Sequence, residues 1–213
     1  MLTLAEKVDP GRCLLMVVDV QNDFCHIEGS MARARQDLSM VDEMMPNLIE
    51  LLEQARRVGA PVIFTQAVHS RWSDSQAWAT RLHGVNLEVP KHCREGSWGV
   101  DLFEVTPWED ERVLVKRRFS AFYGTDLDVM LRALGIKTLL MTAVAPNVCV
   151  ETTARDGFMR DYYVVLASDS CAAYVRAEHQ ATITNISKYF GQVATSEQVI
   201  KAWKDLPAVK ARG

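Results

Sequence analysis

Apolar positions along this chain follow two rhythms, and the way they alternate predicts the fold. Over residues 12–20 the apolar run is unbroken by polar alternation, as expected of a strand buried on both faces. Over 44–58 the spacing becomes helical, with Leu48, Leu51, Leu52 and Ala55 on one stripe, Pro46 in the first turn and Gly59 as the stop. Further strands are predicted at 61–68, 112–116, 138–143 and 163–167, with a short one at 192–194. Helices are predicted between them at 127–134, 148–160 and 176–189, and after the last strand at 197–204. Strands that alternate with helices imply βαβ units: an α/β protein whose mostly parallel, about six-stranded sheet is covered on both faces. Residues 69–111 keep neither rhythm and hold Trp72, Trp78, Trp98 and Trp108, so they are expected to form a wall or lid of a site.

Composition narrows the function. The 213 residues are 48% hydrophobic and 24% charged, which suits one domain spanning 1–213 with its core over about 12–200. A net charge of −3 leaves no electrostatic footprint for nucleic acid or an anionic membrane surface. The first residues lack the apolar centre of a signal peptide, and no apolar run is long enough to span a bilayer. Cys13, Cys25, Cys93, Cys149 and Cys171 form an odd set without a Cys-x-x-Cys pair, which argues against a disulfide scaffold or structural zinc and for a reducing cytoplasm.

The candidate chemistry lies at strand ends. Parallel α/β sheets bind ligands outside the carboxyl ends of their strands. Asp19 closes the first strand, Lys116 closes the third, and Cys149 follows the fourth, so one sheet edge gathers all three. Cys149 sits where a tight turn is expected to open a helix, and free backbone N–H groups there favour a thiolate and can hold an oxyanion. Asp19, expected to be half-buried, suits a base or proton shuttle, and Lys116 suits a steadying cation. Taken singly each has an ordinary explanation: a cap for the aspartate, a solvated charge for the lysine, a small apolar filler for the cysteine. Only the combination points to nucleophilic catalysis.

The blocks Val17-Val18-Asp19-Val20-Gln21-Asn22-Asp23-Phe24, Lys116 with Ser120-Ala121-Phe122, and Asn147-Val148-Cys149-Val150-Glu151-Thr152-Thr153-Ala154-Arg155-Asp156 together resemble the isochorismatase-like cysteine hydrolases. The likeness runs over roughly 12–200, and Gly96-Ser97-Trp98 draws it toward the ureidoacrylate amidohydrolases. It implies a Rossmann-like three-layer α/β/α sandwich and a homo-oligomer, dimer or tetramer. It also implies Asp19, Lys116 and Cys149 as the catalytic set of a metal-independent amidohydrolase without cofactor. Such an enzyme cleaves the C–N bond of a small amide or ureido substrate through a thioester and releases ammonia. The N–H groups of Ala145 and Cys149 are implied as oxyanion donors, with Phe24, Phe119 and Tyr123 lining the pocket. Phe119 replaces an expected tyrosine. Relatives often carry a cis bond that falls here at Val144–Ala145, although Pro146, where they have threonine, offers Ala145–Pro146 as another place.

Three other readings carry less weight. Nicotinamidases place an Asp-x-His metal pattern after the second strand, where this chain has Ala67-Val68-His69. His69, His83 and His92 remain as histidines without ligand spacing. Isochorismatases proper cleave a vinyl ether without a cysteine nucleophile, which Cys149 opposes. A catalytically silent binding module is the alternative from another class, and the intact Asp19, Lys116 and Cys149 set opposes that too. Arg71, Arg94 and Arg118 are each candidates for a two-pronged contact with an anionic substrate.

Overall fold

The computed structural model describes residues 2–80 and 92–205. Six strands form one sheet: β1 (Cys13–Val18), β2 (Val62–Ala67), β3 (Arg112–Lys116), β4 (Thr138–Val144), β5 (Tyr163–Ala172) and β6 (Gln192–Ala194). Their order is β3-β2-β1-β4-β5-β6, and every pairing is parallel. The helices in chain order are α1 (Leu4–Lys7), α2 (Asn22–Cys25), α3 (Ser30–Arg33), α4 (Ser39–Val58), α5 (Gln76–Ala79), α6 (Leu127–Ala133), α7 (Glu151–Phe158), α8 (Arg176–Asn185) and α9 (Ser196–Lys204).

The central strand shows why the apolar run is unbroken. Cys13, Leu15 and Val17 of β1 enter a core shared with α4 and α9. Leu14, Met16 and Val18 enter a second core shared with α6 and α7. All six side chains are fully buried, each contributing on the order of 1.5–3 kcal/mol when it is a full aliphatic chain. Trp203 fastens the last helix to the N-terminal segment, donating from Nε1 to the Val8 carbonyl at 2.6 Å.

Four elements depart from their predicted form. Helix α4 begins at Ser39 rather than 44, so Pro46 lies inside it instead of in its first turn. Val41, Met44 and Met45 extend the buried stripe, while Pro46 faces solvent, where water can serve the carbonyl that its missing N–H leaves over. Gly59 does stop this helix, in the left-handed region at φ 74°. Strand β5 continues to Ala172 past the polar run Ser168-Asp169-Ser170, and the register against β4 shifts between Met141 and Ala143. The polar run fits because Asp169 accepts from the N–H and hydroxyl of Ser196, both at 2.7 Å. The predicted helices at 148–160 and 176–189 each contain a wide π-type turn, Pro146–Val150 before α7 and Ile186–Phe190 after α8.

The strand order reverses between β1 and β4, since β2 and β3 build outward on one side and β5 and β6 on the other. Asp19 follows β1 and Cys149 follows β4, so both stand at the crevice that this reversal opens. Among the described residues no helix is long and apolar enough to cross a membrane.

Candidate active site

The floor of the crevice is made where β1 ends. Asp19 takes a left-handed backbone conformation, φ 52°, held by its N–H donating to the carbonyl and hydroxyl oxygens of Thr65, each at 3.2 Å. The Thr65 hydroxyl in turn donates to Asp19 Oδ1 at 2.6 Å, and both residues are fully buried. Lys116 reaches the same point from the end of β3 with a side chain 1% exposed. Its Nζ lies 2.7 Å from Asp19 Oδ2 and 3.4 Å from Cys149 Sγ, and donates to the Arg118 carbonyl at 3.1 Å. Asp19 Oδ2 has this cation beside it but no well-directed hydrogen-bond donor among the described residues. The three side chains singled out from sequence therefore meet, with the ammonium touching both partners.

The cysteine is placed by an unusual turn. The Val144–Ala145 bond is cis, and the chain then winds through Pro146–Val150 before α7 begins at Glu151. The N–H groups of Val148 and Val150 both donate to the Ala145 carbonyl, at 3.0 and 3.2 Å. Thr153 pins this turn to the segment after β3: its hydroxyl donates to the Cys149 carbonyl at 2.7 Å and accepts from the Ala121 N–H at 3.0 Å. Cys149 thus lies inside a wide turn, not at the first turn of an α-helix. Its thiol is pushed up to about 12 by burial, with Lys116 pulling the other way and Asp19 adding to the rise. Loss of hydration here outweighs the nearby cation. For Lys116, burial alone favours the neutral amine, but Asp19 and Cys149 outweigh it and hold the group above the ordinary lysine value.

Most of the aspartate block serves as scaffold. Gln21 donates to the carbonyls of Ala67 and Val100 and accepts from the Ala67 N–H, joining the ends of β1 and β2 to the 98–100 turn. Asn22 donates to the Trp98 carbonyl. Asp23, 4% exposed, accepts from the Cys93 N–H at 2.6 Å and the Ser30 N–H at 2.9 Å. Gly99 lies so close that a Cβ there would fall 2.0 Å from Asp23 Oδ2. These bonds fold residues 92–101 over the crevice.

The resulting cavity is about 340 Å³. Phe24, Phe119 and Ala145 line it beside Asp19, Lys116 and Cys149. Tyr123 does not: it is 67% exposed, because the turn closed by its N–H on the Ser120 carbonyl buries Ala121 and Phe122 and carries the next side chain outward. Of the irregular segment, His69, Trp78 and His92 form part of the wall, while its residues 81–91, His83 included, lie outside the described residues. The rings of His69 and His92 stand 5.3 Å apart, and His69 Nδ1 is 3.1 Å from Asp74 Oδ1. Among the described residues no group of three or more His, Cys, Asp or Glu could hold a metal ion. The three candidate arginines separate: Arg71 lies over the exposed Trp72 ring, Arg94 pairs with Asp74, and Arg118 lines the cavity. Sequence reasoning missed Thr65, Tyr174 and Glu178. Thr65 follows from register, because it pairs with Val18 next to Asp19. Tyr174, whose hydroxyl donates to the Phe24 carbonyl at 3.1 Å, and Glu178 come in only because β5 runs longer than its apolar part.

The Isochorismatase domain matches residues 13–198, and with them every strand of the sheet and all three crevice residues. The chain belongs to the isochorismatase family. Similar to this member is the ureidoacrylate amidohydrolase RutB of Methylobacterium radiotolerans, 35% identical over 201 residues that cover 88% of this chain and 78% of the relative. Among solved structures, a cysteine hydrolase from Pseudomonas syringae pv. phaseolicola 1448A superposes with a TM-score of 0.82 at 28% identity, covering 93% of this chain and 95% of the other. The N-carbamoylsarcosine amidase of Thermoplasma acidophilum does so at 0.70 and 28% identity, covering 87% and 97%. This isochorismatase-family chain is a hydrolase of the same general class, acting on C–N bonds outside peptides.

Proposed function

We propose that the protein is a metal-independent cysteine amidohydrolase that cleaves a small amide or ureido compound through a thioester and releases ammonia. One observation carries this reading: within the cavity Lys116 Nζ stands 2.7 Å from Asp19 Oδ2 and 3.4 Å from Cys149 Sγ. The resemblance of the chain to amidohydrolases supports it. The absence of the Asp-x-His pattern at Ala67 to His69 supports metal independence. The five free cysteines support a reducing cytoplasm, and we take the active form to be a homo-oligomer, as the family resemblance implies.

The resting thiol is neutral, so attack must be coupled to proton removal. As Cys149 Sγ bonds to the substrate carbonyl carbon, its proton passes to Asp19, and the negative charge left on sulfur meets Lys116. The carbonyl oxygen becomes an oxyanion on the N–H groups of Ala145 and Cys149. The C–N bond then breaks, the leaving nitrogen takes the proton from Asp19, and ammonia departs. Water attacks the thioester with Asp19 again as base, and the sulfur recovers a proton as the acid leaves. The fixed Lys116 charge serves each step without moving.

The test is ammonia release across ureido acids, primary amides and nicotinamide, by the native chain and by Cys149→Ser, with and without exhaustive chelation. Release by the native chain alone, unaffected by chelation, is expected. Turnover by Cys149→Ser overturns the nucleophile. Loss on chelation with recovery on adding one metal overturns metal independence.

A further inference from the structure

We propose that Glu151 is a positioning residue whose buried carboxylate holds α8 against the cysteine turn and so sets the cavity wall that α8 supplies. The inference rests on the amidohydrolase reading above and adds to it a residue that is not among those lining the cavity. Glu151 opens α7 two positions after Cys149 and is 8% exposed. Its Oε2 accepts from the Thr182 hydroxyl at 2.7 Å, and its Oε1 accepts from Asn185 Nδ2 at 3.0 Å. Arg155, one turn on, donates to Oε1 from Nε at 2.9 Å and from Nη2 as well. One turn earlier, Asn147 Nδ2 donates to Glu178 Oε2 at 2.9 Å. Glu178, Thr182 and Asn185 are spaced i, i+4, i+7, so they share one face of α8. That face meets the cysteine segment through polar bonds, where a helix ordinarily buries an apolar stripe.

The other ties of α8 are weaker at the end that matters. Thr182 is its one buried residue, and its N-cap, Val175, gives no side-chain hydrogen bond. The Arg176–Glu43 ion pair is exposed on both sides, and such pairs contribute little. Ile186, just past the helix, anchors its C-terminal end in the second core. Away from the cysteine turn, α8 borders a second cavity of about 370 Å³ shared with α4 and β5, so packing there does not block a shift. Val175 and Glu178, at the N-terminal end, line the active cavity. A displacement of that end moves the wall and leaves Asp19 and Lys116, at the ends of β1 and β3, in place.

The test follows Glu151→Ala, Glu151→Gln and Thr182→Val by two readouts, well below their melting temperatures. The iodoacetamide rate at Cys149 is expected to rise at least about threefold in Glu151→Ala and Thr182→Val as the wall loosens. Glu151→Gln, which keeps an acceptor for Asn185, should lie between the native chain and Glu151→Ala. For the amide or urea that the native chain hydrolyses best, KM should rise at least about threefold with kcat changed less than about twofold. A loss of stability alone would lower Tm and leave both readouts at native values. Thr182→Val keeps the shape of the side chain, so it decides the matter where Glu151→Ala does not fold. Alkylation no faster than native in the deciding variant overturns the proposal, as does a fall in kcat with KM unchanged. Alkylation needs no turnover, so it judges Glu151 even where no compound is hydrolysed and the amidohydrolase reading has failed.

Discussion

The Thr65 hydroxyl donates to Asp19 Oδ1 at 2.6 Å, and both residues are buried. The contact crosses from β2 to the residue after β1, and the same hydroxyl accepts from the Asp19 N–H at 3.2 Å. One threonine therefore fixes both the left-handed backbone and the carboxylate plane of Asp19.

Thr65→Val keeps the shape of the side chain and removes both bonds. A hydrogen bond to a buried charged group is worth about 1.5–3 kcal/mol, so the fold should lose that order of stability and kcat should fall about tenfold or more. Thr65→Ser should retain most of both. Thermal melts and ammonia release check this, and Val and Ser variants of equal activity would contradict the positioning role.

Lys116 and Asp19 form a buried ion pair, each side chain 1% exposed. Lys116→Met leaves an unpaired carboxylate in the core and should cost about 3–5 kcal/mol. Adding Asp19→Asn removes that charge, so the double variant should recover much of the stability while remaining inactive. Chemical denaturation of all four chains gives the coupling directly. Additive losses would show that the pair does not depend on mutual charge.

Cys149 should be the first cysteine alkylated, because it lines the cavity beside Lys116 and Asp19 while Cys13, Cys25 and Cys93 are core residues. Its thiol is raised by burial to about 12, so protonation is favoured throughout the neutral range and the thiolate fraction grows about tenfold per pH unit. The iodoacetamide rate at Cys149, read by peptide mapping, should accordingly climb from pH 7 to pH 9 without a plateau. A plateau near neutrality would show a resting thiolate and reverse the sign of the burial effect.

Gly99→Ala should disturb the site from a distance. The added Cβ falls 2.0 Å from Asp23 Oδ2, so Asp23 must give up its bonds to the Cys93 and Ser30 N–H groups. Overpacking of this kind costs about 1–3 kcal/mol. Because Cys93 follows His92 of the cavity wall, KM should rise more than kcat falls. Melting curves and steady-state kinetics read the two effects separately.

Local pattern determined a great deal here. The unbroken apolar run ending at Val18, the helical stripe of Leu48, Leu51, Leu52 and Ala55, and the alternation of the two along the chain foretold the doubly covered parallel sheet. That topology put Asp19, Lys116 and Cys149 on one edge. These features are legible because periodicity and strand-end position are properties of neighbouring residues. Tertiary structure alone decided the rest. The second half of β5 was hidden by Ser168, Asp169 and Ser170, whose fit depends on Ser196 beyond the next helix. Thr65 gained its partner from strand register, Tyr123 was turned outward by a single tight turn, and Arg118 was set apart from Arg71 and Arg94 by Trp78. The protonation of Cys149 shows the physical reason most plainly. A helix-start motif read along the chain favours the thiolate, but burial is the sum of contacts from residues remote in sequence, and its desolvation penalty is the larger effect.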